Sequence, residues 1–479
     1  MVPADAPAPR PAKGESAPPS AVRAATGAFL TGALVSLAFL AFSLYRFEVS
    51  LTRGPVTWYL LFAFLGGGCA WCAYRLQPAR RVVAAVVGLT VAATLYASEA
   101  ALALTAHVSR IRVQARLAAR TGVPIDTRPL PDVVRDLRSN GVDAVPSVVP
   151  AVILAQAVSH ADRRLAWTSA VLPLGGISRR PTVHLCNEDG QYRRYASDEH
   201  GFTNPAGAWS DAAREIVLIG DSFTHGYCLD ADRTYAAHLR RRWPSLVNLG
   251  TGGSGPLVEL ATLAEYAAAL RPRVLVWQYF ENDLENLAQE RQFPVLLRYL
   301  EPAFSQHLRN RQRELDDAMS AWVERGLASG RGYSLAAAFR WREVVTLYGL
   351  RDLAASWLSR RTHPSQEEIP LFREVLRQAV ARVAGWNGRL VFVFVPQWER
   401  YYQPAALAGR DLRDAVLAAA GSLGIQVVDL EPVVRGHTER AELFARRELA
   451  TAHFSELGHA LLAREVGEAI SRAGTAGAR

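Results

Sequence analysis

The sequence predicts an α/β domain built on a mainly parallel sheet, preceded by three apolar helices. Two observations carry this. Between about residues 196 and 472, short continuous apolar runs alternate with helical segments, the pattern of strands buried on both faces. Ahead of them, the first quarter of the 479 residues carries the excess of a chain that is 50% hydrophobic, in runs long enough to cross a bilayer.

Residues 1–26 open with "MVPADAPAPRPAKGESAPPS", too rich in Pro, Ala and small polar residues to offset chain entropy, and read as a disordered cytoplasmic tail. Residues 27–106 hold three candidate transmembrane helices: Gly27–Tyr45, Thr57–Tyr74 and Val82 to about Ala106. A cleaved signal peptide is the competing reading of the first. The long leader, the lack of a small-x-small site and the spans that follow speak against it. Arg10, Lys13 and Arg23 before the first span, and Arg75, Arg80 and Arg81 between the second and third, belong on the cytoplasmic side. This makes a multi-pass protein of the cytoplasmic (inner) membrane whose C-terminal domain faces the periplasm or exterior, although Arg110, Arg112 and Arg116 pull the other way. Glu99, near the outward end of the third span, is either an intramembrane functional carboxylate or a side chain reaching the interface.

Residues 107–195 read as a membrane-proximal linker and accessory layer, with a short helix at Leu130–Ser139 and a polar turn at residues 187–190 between extended runs. In residues 196–472 the strands are Glu215–Ile219, Leu246–Leu249, Val274–Trp277, Leu390–Val395 and Ile425–Leu430, with helices such as Ala231–Arg242 and Val258–Leu270 between them. The charged helical stretch at about 285–385 interrupts the rhythm as an insertion, a lid or an oligomer surface, and residues 473–479 form a tail.

The net charge of +9 raises nucleic acid as a partner, but Arg is spread along the chain and no nucleic-acid motif occurs, so none is expected. Of the four cysteines, Cys69 and Cys72 form a CxxC inside an apolar helix, where two small residues on one face explain it better than redox chemistry. Cys186 and Cys228 lie in the outer domain, where an oxidising compartment permits a disulfide between them. The His and Cys positions lack ligand spacing, so neither metal nor other cofactor is expected.

The informative motifs fall where strands end or helices begin. "GDSFTHG" (Gly220–Gly226) follows "EIVLI"; "NLGTGGSG" (Asn248–Gly255) closes "LVNL"; "FENDLENL" (Phe280–Leu287) follows "VLVWQY"; "HFSELGH" (His453–His459) opens the last helix. On the rim of a parallel sheet these bring together a hydroxyl, a Gly-rich turn, a primary amide and an imidazole, the parts of an acyl-transfer site. Each alone has an ordinary structural reading: helix N-cap, turn, loop capper and surface residue.

Together these blocks resemble the SGNH, or GDSL, hydrolase superfamily, in its membrane-anchored bacterial envelope type, over roughly residues 195–470 less the insertion. "SDEHGFTNP" (Ser197–Pro205) is similar to a segment that often precedes the first block in envelope-associated members. The resemblance implies a flavodoxin-like three-layer α/β/α domain, with Ser222 as nucleophile, His453 as general base, and Ser222, Gly253 and Asn282 supplying the oxyanion donors. Asp221 is expected to fix the nucleophile turn. His225 and Trp398 are candidates for lining a substrate groove, Trp398 as a platform for a sugar. His459 is expected to pack in its helix and Asp429 to end a strand.

The chain departs from the family in one respect. Members usually carry an Asp two or three residues before the catalytic His, and here those positions are Thr451 and Ala450; Glu448 and Glu456 are the nearest carboxylates. The implied activity is cleavage or transfer of an O-acyl ester, O-acetyl above all, on an envelope or secreted glycan. A catalytically impaired scaffold that binds a glycan or assembly partner is the alternative the missing Asp favours, and a lipid esterase is the third.

Overall fold

The computed structural model describes residues 17–47, 53–122, 125–126, 128–159, 167–186, 188, 190–210, 215–328, 347, 349–351, 353, 364–407, 411–445 and 453–475. The first part of the expected tail, the turn residues flanking Glu188, much of 329–363, and Glu448, Ala450 and Thr451 lie outside them. The chain forms two compact units, Met1–His107 with Phe339–Ala354, and Val108–Ala338 with Ala355–Arg479.

The first unit holds helices α1 (Pro19–Phe47) and α2 (Arg53–Arg75) and the start of α3 (Pro78–Thr121), which runs on past the boundary expected near residue 106. Small residues bring α1 and α2 together: a Cβ on Gly32 would lie 3.2 Å from the Cys69 sulfur, and Phe39 stacks on Phe62 at 5.4 Å. Cys69 and Cys72 are free thiols, in keeping with a packing role. Three crossings were expected; two helical stretches, Pro19–Ala41 and Pro78–Thr105, are long and apolar enough among the described residues. Glu99 does not reach solvent. It is 3% exposed, and its carboxylate accepts the backbone N–H groups of Gly349 (2.7 Å) and Leu350 (2.9 Å), which satisfies a buried acid locally.

In the second unit a small sheet pairs β1 (Val145–Pro146) parallel with β2 (Pro181–Val183), and β2 antiparallel with β3 (Arg194–Ala196). The main sheet is β4 (Ile216–Ile219), β5 (Val247–Asn248), β6 (Val274–Phe280), β7 (Arg389–Val395) and β8 (Gln426–Asp429), all parallel, in the order β5-β4-β6-β7-β8. All five expected strands are present. Alternate side chains enter two separate cores: Val217, Ile219, Leu275, Trp277, Phe392 and Phe394 join one, Ile216, Leu218, Val274, Val276, Val391 and Val393 the other. Both faces of each strand are therefore apolar, which is why the strands read as unbroken hydrophobic runs.

The stretch expected as an insertion contributes heavily to the first of these cores. Leu287, Leu296, Tyr299, Met319 and Trp322, and then Phe372 and Leu376, are fully buried there beside the strands. Their helices, such as Gln312–Ala328 and Ile369–Ala384, carry charge on one face and an apolar stripe on the other. Residues of the accessory layer, Leu130, Val134 and Val145 among them, close the same core.

Strand order reverses at β4, which is flanked by β5 on one side and β6 on the other. The crevice beyond their carboxyl ends is where an open α/β sheet offers a ligand site. Ser222, Gly253 and Asn282 follow these three strands.

Candidate active site

The Gly220–Gly226 block turns sharply because its first residue has no side chain. A Cβ on Gly220 would lie 2.4 Å from Thr224 Oγ1 and 2.8 Å from Gln278 Oε1. Thr224 itself is fixed from below, donating to Gln278 Oε1 at 2.7 Å and meeting the Tyr235 hydroxyl at 3.0 Å. Gly220→Ala is expected to destabilise the domain by about 1–3 kcal/mol through overpacking, read as a lower urea midpoint at unchanged slope. Asp221 then caps the helix Ser222–His225: its fully buried carboxylate accepts the Phe223 N–H at 3.0 Å, the turn-fixing part expected of it. Its second oxygen is 3.2 Å from Ser222 Oγ.

The second block is braced against the first. Asn248 accepts the Gly250 N–H at 2.9 Å and donates to the Thr224 carbonyl at 2.7 Å, while Asn204, from the "SDEHGFTNP" segment, holds the Asn248 backbone through both N–H and carbonyl. Asp198 in the same segment gathers the N–H groups of His200 and Phe202, the Asn204 amide and the Trp209 indole. Gly253 has φ +73°, a left-handed conformation that favours glycine, and a Cβ there would lie 2.9 Å from Ala151. In the third block Asn282 starts the helix Asp283–Glu290, its carbonyl accepting the N–H groups of Glu285 and Asn286. The neighbouring Glu281 is clamped by Arg400, at 2.9 and 2.6 Å, and by the Gln397 N–H at 2.9 Å.

His453 reaches Ser222. Its Nε2 lies 2.8 Å from Ser222 Oγ, and its Nδ1 lies 2.7 Å from Glu188 Oε1. Glu188 Oε2 accepts the His453 backbone N–H at 3.1 Å, so both carboxylate oxygens are engaged by one residue. This acid comes from the loop between β2 and β3, in the small sheet, far upstream of the serine. Sequence reasoning sought it beside the histidine and missed it. A signal was present: Glu188 stands two residues from Cys186, whose disulfide partner Cys228 lies two residues past the Gly220–Gly226 block.

Other sequence-predicted positions fall elsewhere. His225 lines no groove: it is 2% exposed, its Nδ1 accepts the Gly252 N–H at 3.2 Å, and burial followed by the charge of His184 pushes it well down from its ordinary range, keeping it neutral. It ties the first block to the second. Trp398 is 6% exposed and stacked on Tyr402 at 4.7 Å, so the half-exposed Tyr402 presents the outer ring of that pair. His459 is fully buried with Nδ1 accepting the Tyr235 N–H at 3.1 Å, and burial with neighbouring imidazoles pushes it down to about 3. Asp429 pairs with Arg413 and accepts the Glu431 N–H, a strand-end role.

Charge around His453 sets a testable pH dependence. Burial alone would lower its pKa, but the Glu188 carboxylate, by charge and hydrogen bond, and the charge of Asp221 raise it net above the ordinary 6.5. A base must be neutral to accept a proton, so kcat/KM is expected to rise with pH through a midpoint above 6.5. The stability contribution has the opposite sign. A raised folded-state pKa favours the native state fully below 6.5, and that contribution is lost as pH rises through the folded value. Thermal melts and rate profiles over the same buffers check both slopes.

No family model and no curated protein matches the chain. Solved structures do. It is similar to the lipase/acylhydrolase from Enterococcus faecalis, at 16% identity over 54% of this chain and 95% of that one, TM-score 0.31. A member of the lipolytic protein G-D-S-L family from Veillonella parvula gives 16% identity over 54% and 100%, TM-score 0.30. A two-domain esterase active on acetylated mannans gives 13% over 56% and 51%, TM-score 0.30.

Proposed function

We propose that the chain is a membrane-anchored serine ester hydrolase or O-acyltransferase of SGNH type, working through Ser222, His453 and Glu188. The observation that carries this reading is the unbroken relay from the Ser222 hydroxyl through both imidazole nitrogens to a carboxylate. With Nδ1–H donated to Glu188, Nε2 is left as the acceptor facing Ser222. Attack of Ser222 Oγ on an ester carbonyl sends its proton to Nε2. The tetrahedral oxyanion takes donors from the backbone N–H groups of Ser222 and Gly253 and the Asn282 amide, each worth about 3–4 kcal/mol in related chemistry. Collapse expels the alcohol, which carries off the proton from Nε2. Water, or a second hydroxyl, then repeats the sequence on the acyl-serine and restores the enzyme.

The substrate class in this reading is an O-acyl, above all O-acetyl, ester on an envelope or secreted glycan. An outward-facing domain is supported by the Cys186–Cys228 disulfide, which persists in oxidising compartments. Full-length protein in detergent, offered a chromogenic acetyl ester, acetylated glycans and a serine-reactive phosphonate, is expected to turn over ester and take the label at Ser222. Folded protein that neither turns over nor labels with any of these would overturn the reading.

A further inference from the structure

The acid and the nucleophile belong to different sheets. Ser222 follows β4 of the main sheet, whereas Glu188 sits in the β2–β3 loop of the small one. A hydrogen-bonded acid on a separate loop orients an imidazole only if the loop is held to a fraction of an ångström. One covalent bond spans the two segments: Cys186, two residues before Glu188, is joined to Cys228, six residues after Ser222, with Cα atoms 5.3 Å apart.

The disulfide also lies against the bond it would protect. Cys228 Sγ is 3.9 Å from His453 Nδ1, the nitrogen that meets Glu188, and the Tyr227 ring stands 5.7 Å from the imidazole. Cys186, Cys228 and Tyr227 form a buried apolar cluster of their own. Glu188 and His453 keep side-chain exposures of 20% and 17%, so the cluster covers their bond on one side, where a drier setting strengthens it. Cys228 has φ +66°, a left-handed conformation uncommon outside glycine, at the point where the bridge must be reached.

We propose that the Cys186–Cys228 disulfide is a positioning element of the active site, pinning Glu188 to the nucleophile turn and shielding its bond to His453. This rests on the reading of Ser222, His453 and Glu188 as a triad. Cleavage by a dithiol transfers two electrons and two protons to the S–S bond, giving two thiols while the reagent closes to its own disulfide. The reduced enzyme keeps Ser222 and His453 but loses the fixed acid.

The test uses full-length protein in detergent and the double variant C186S/C228S, with phosphonate labelling and acetyl-ester turnover as readouts. Displacement of a catalytic group by about 1 Å costs about 10²-fold, so kcat is expected to fall by about that factor with KM within about threefold. The kcat–pH limb should move towards acid, because His453 loses the charge that raises it. In a Glu188→Gln background the same pair of substitutions should cost no further labelling rate, since the disulfide then has no acid to place. If the double variant does not fold, brief dithiol treatment of folded wild type decides the matter: the rate must fall with the melting transition retained, and return on reoxidation. A kcat within threefold of wild type in the double variant or after reduction overturns the clamp while leaving the triad standing. An equal loss with and without Glu188 also overturns it, by showing a general effect on the fold. If Glu188→Gln itself costs nothing, both the triad acid and its clamp are overturned.

Discussion

Replacing Ser222 by Ala is expected to lower kcat for ester turnover about 10⁶-fold and abolish phosphonate labelling, with the fold retained. The size follows from what the hydroxyl does. No other described side chain hydrogen-bonds His453 Nε2, so the variant has nothing to accept the acyl group and only oxyanion donors and binding to offer. The fold should survive because Asp221, not Ser222, makes the bond that secures the turn, to the Phe223 N–H. The lost contacts to Asp221 and His453 are at the edge of the crevice, and their net worth is about 1 kcal/mol. Mass spectrometry after mixing with an acyl ester checks the point directly: acyl adduct on the wild type, none on Ser222→Ala. Turnover within tenfold of wild type would move the nucleophile elsewhere.

Much of the main sheet was legible because its physics is local. A strand such as Val274–Phe280, with all seven side chains buried, has to be apolar on both faces, and a turn such as Gly220–Asp221 has to be free of a Cβ and then capped. His453 was named through the resemblance of "HFSELGH", not from local physics. What was hidden depends on pairing between distant segments. Within the expected insertion at about 285–385, charge on the outer face of Gln312–Ala328 hides the buried stripe of Leu315, Met319, Trp322 and Val323. His225 and Trp398 sit in rim motifs, and only packing decides that one braces the Gly252 turn and the other lies beneath Tyr402. Glu188 was hidden most deeply. The acid of a triad is defined by a distance to Nδ1, not by sequence spacing from the histidine, so a carboxylate 265 residues upstream can fill the place.

That substitution of source leads to the second large expected effect: Glu188→Gln should lower kcat about 10³- to 10⁴-fold with KM nearly unchanged. The carboxylate uses both oxygens as acceptors, one for Nδ1–H and one for the His453 backbone N–H. A carboxamide has one oxygen and cannot accept from both on the same pattern. If its NH₂ faces Nδ1, the imidazole proton is driven to Nε2, where it blocks transfer from Ser222. If its oxygen faces Nδ1, the tautomer is right but the backbone N–H loses its acceptor, and the imidazolium formed during attack loses its counter-charge. Either way the midpoint of the rate limb moves towards acid, because Glu188 is what raises His453 above its ordinary value against the effect of burial. The rate should stay low even at a pH where His453 is fully neutral. That plateau separates loss of orientation from a mere change in titration. Glu188→Asp, with the charge kept and one methylene fewer, should recover part of kcat and restore the limb towards wild type. Equal rates for Glu188→Gln and wild type across the pH range would mean that Ser222 and His453 work as a dyad, with the carboxylate a structural neighbour.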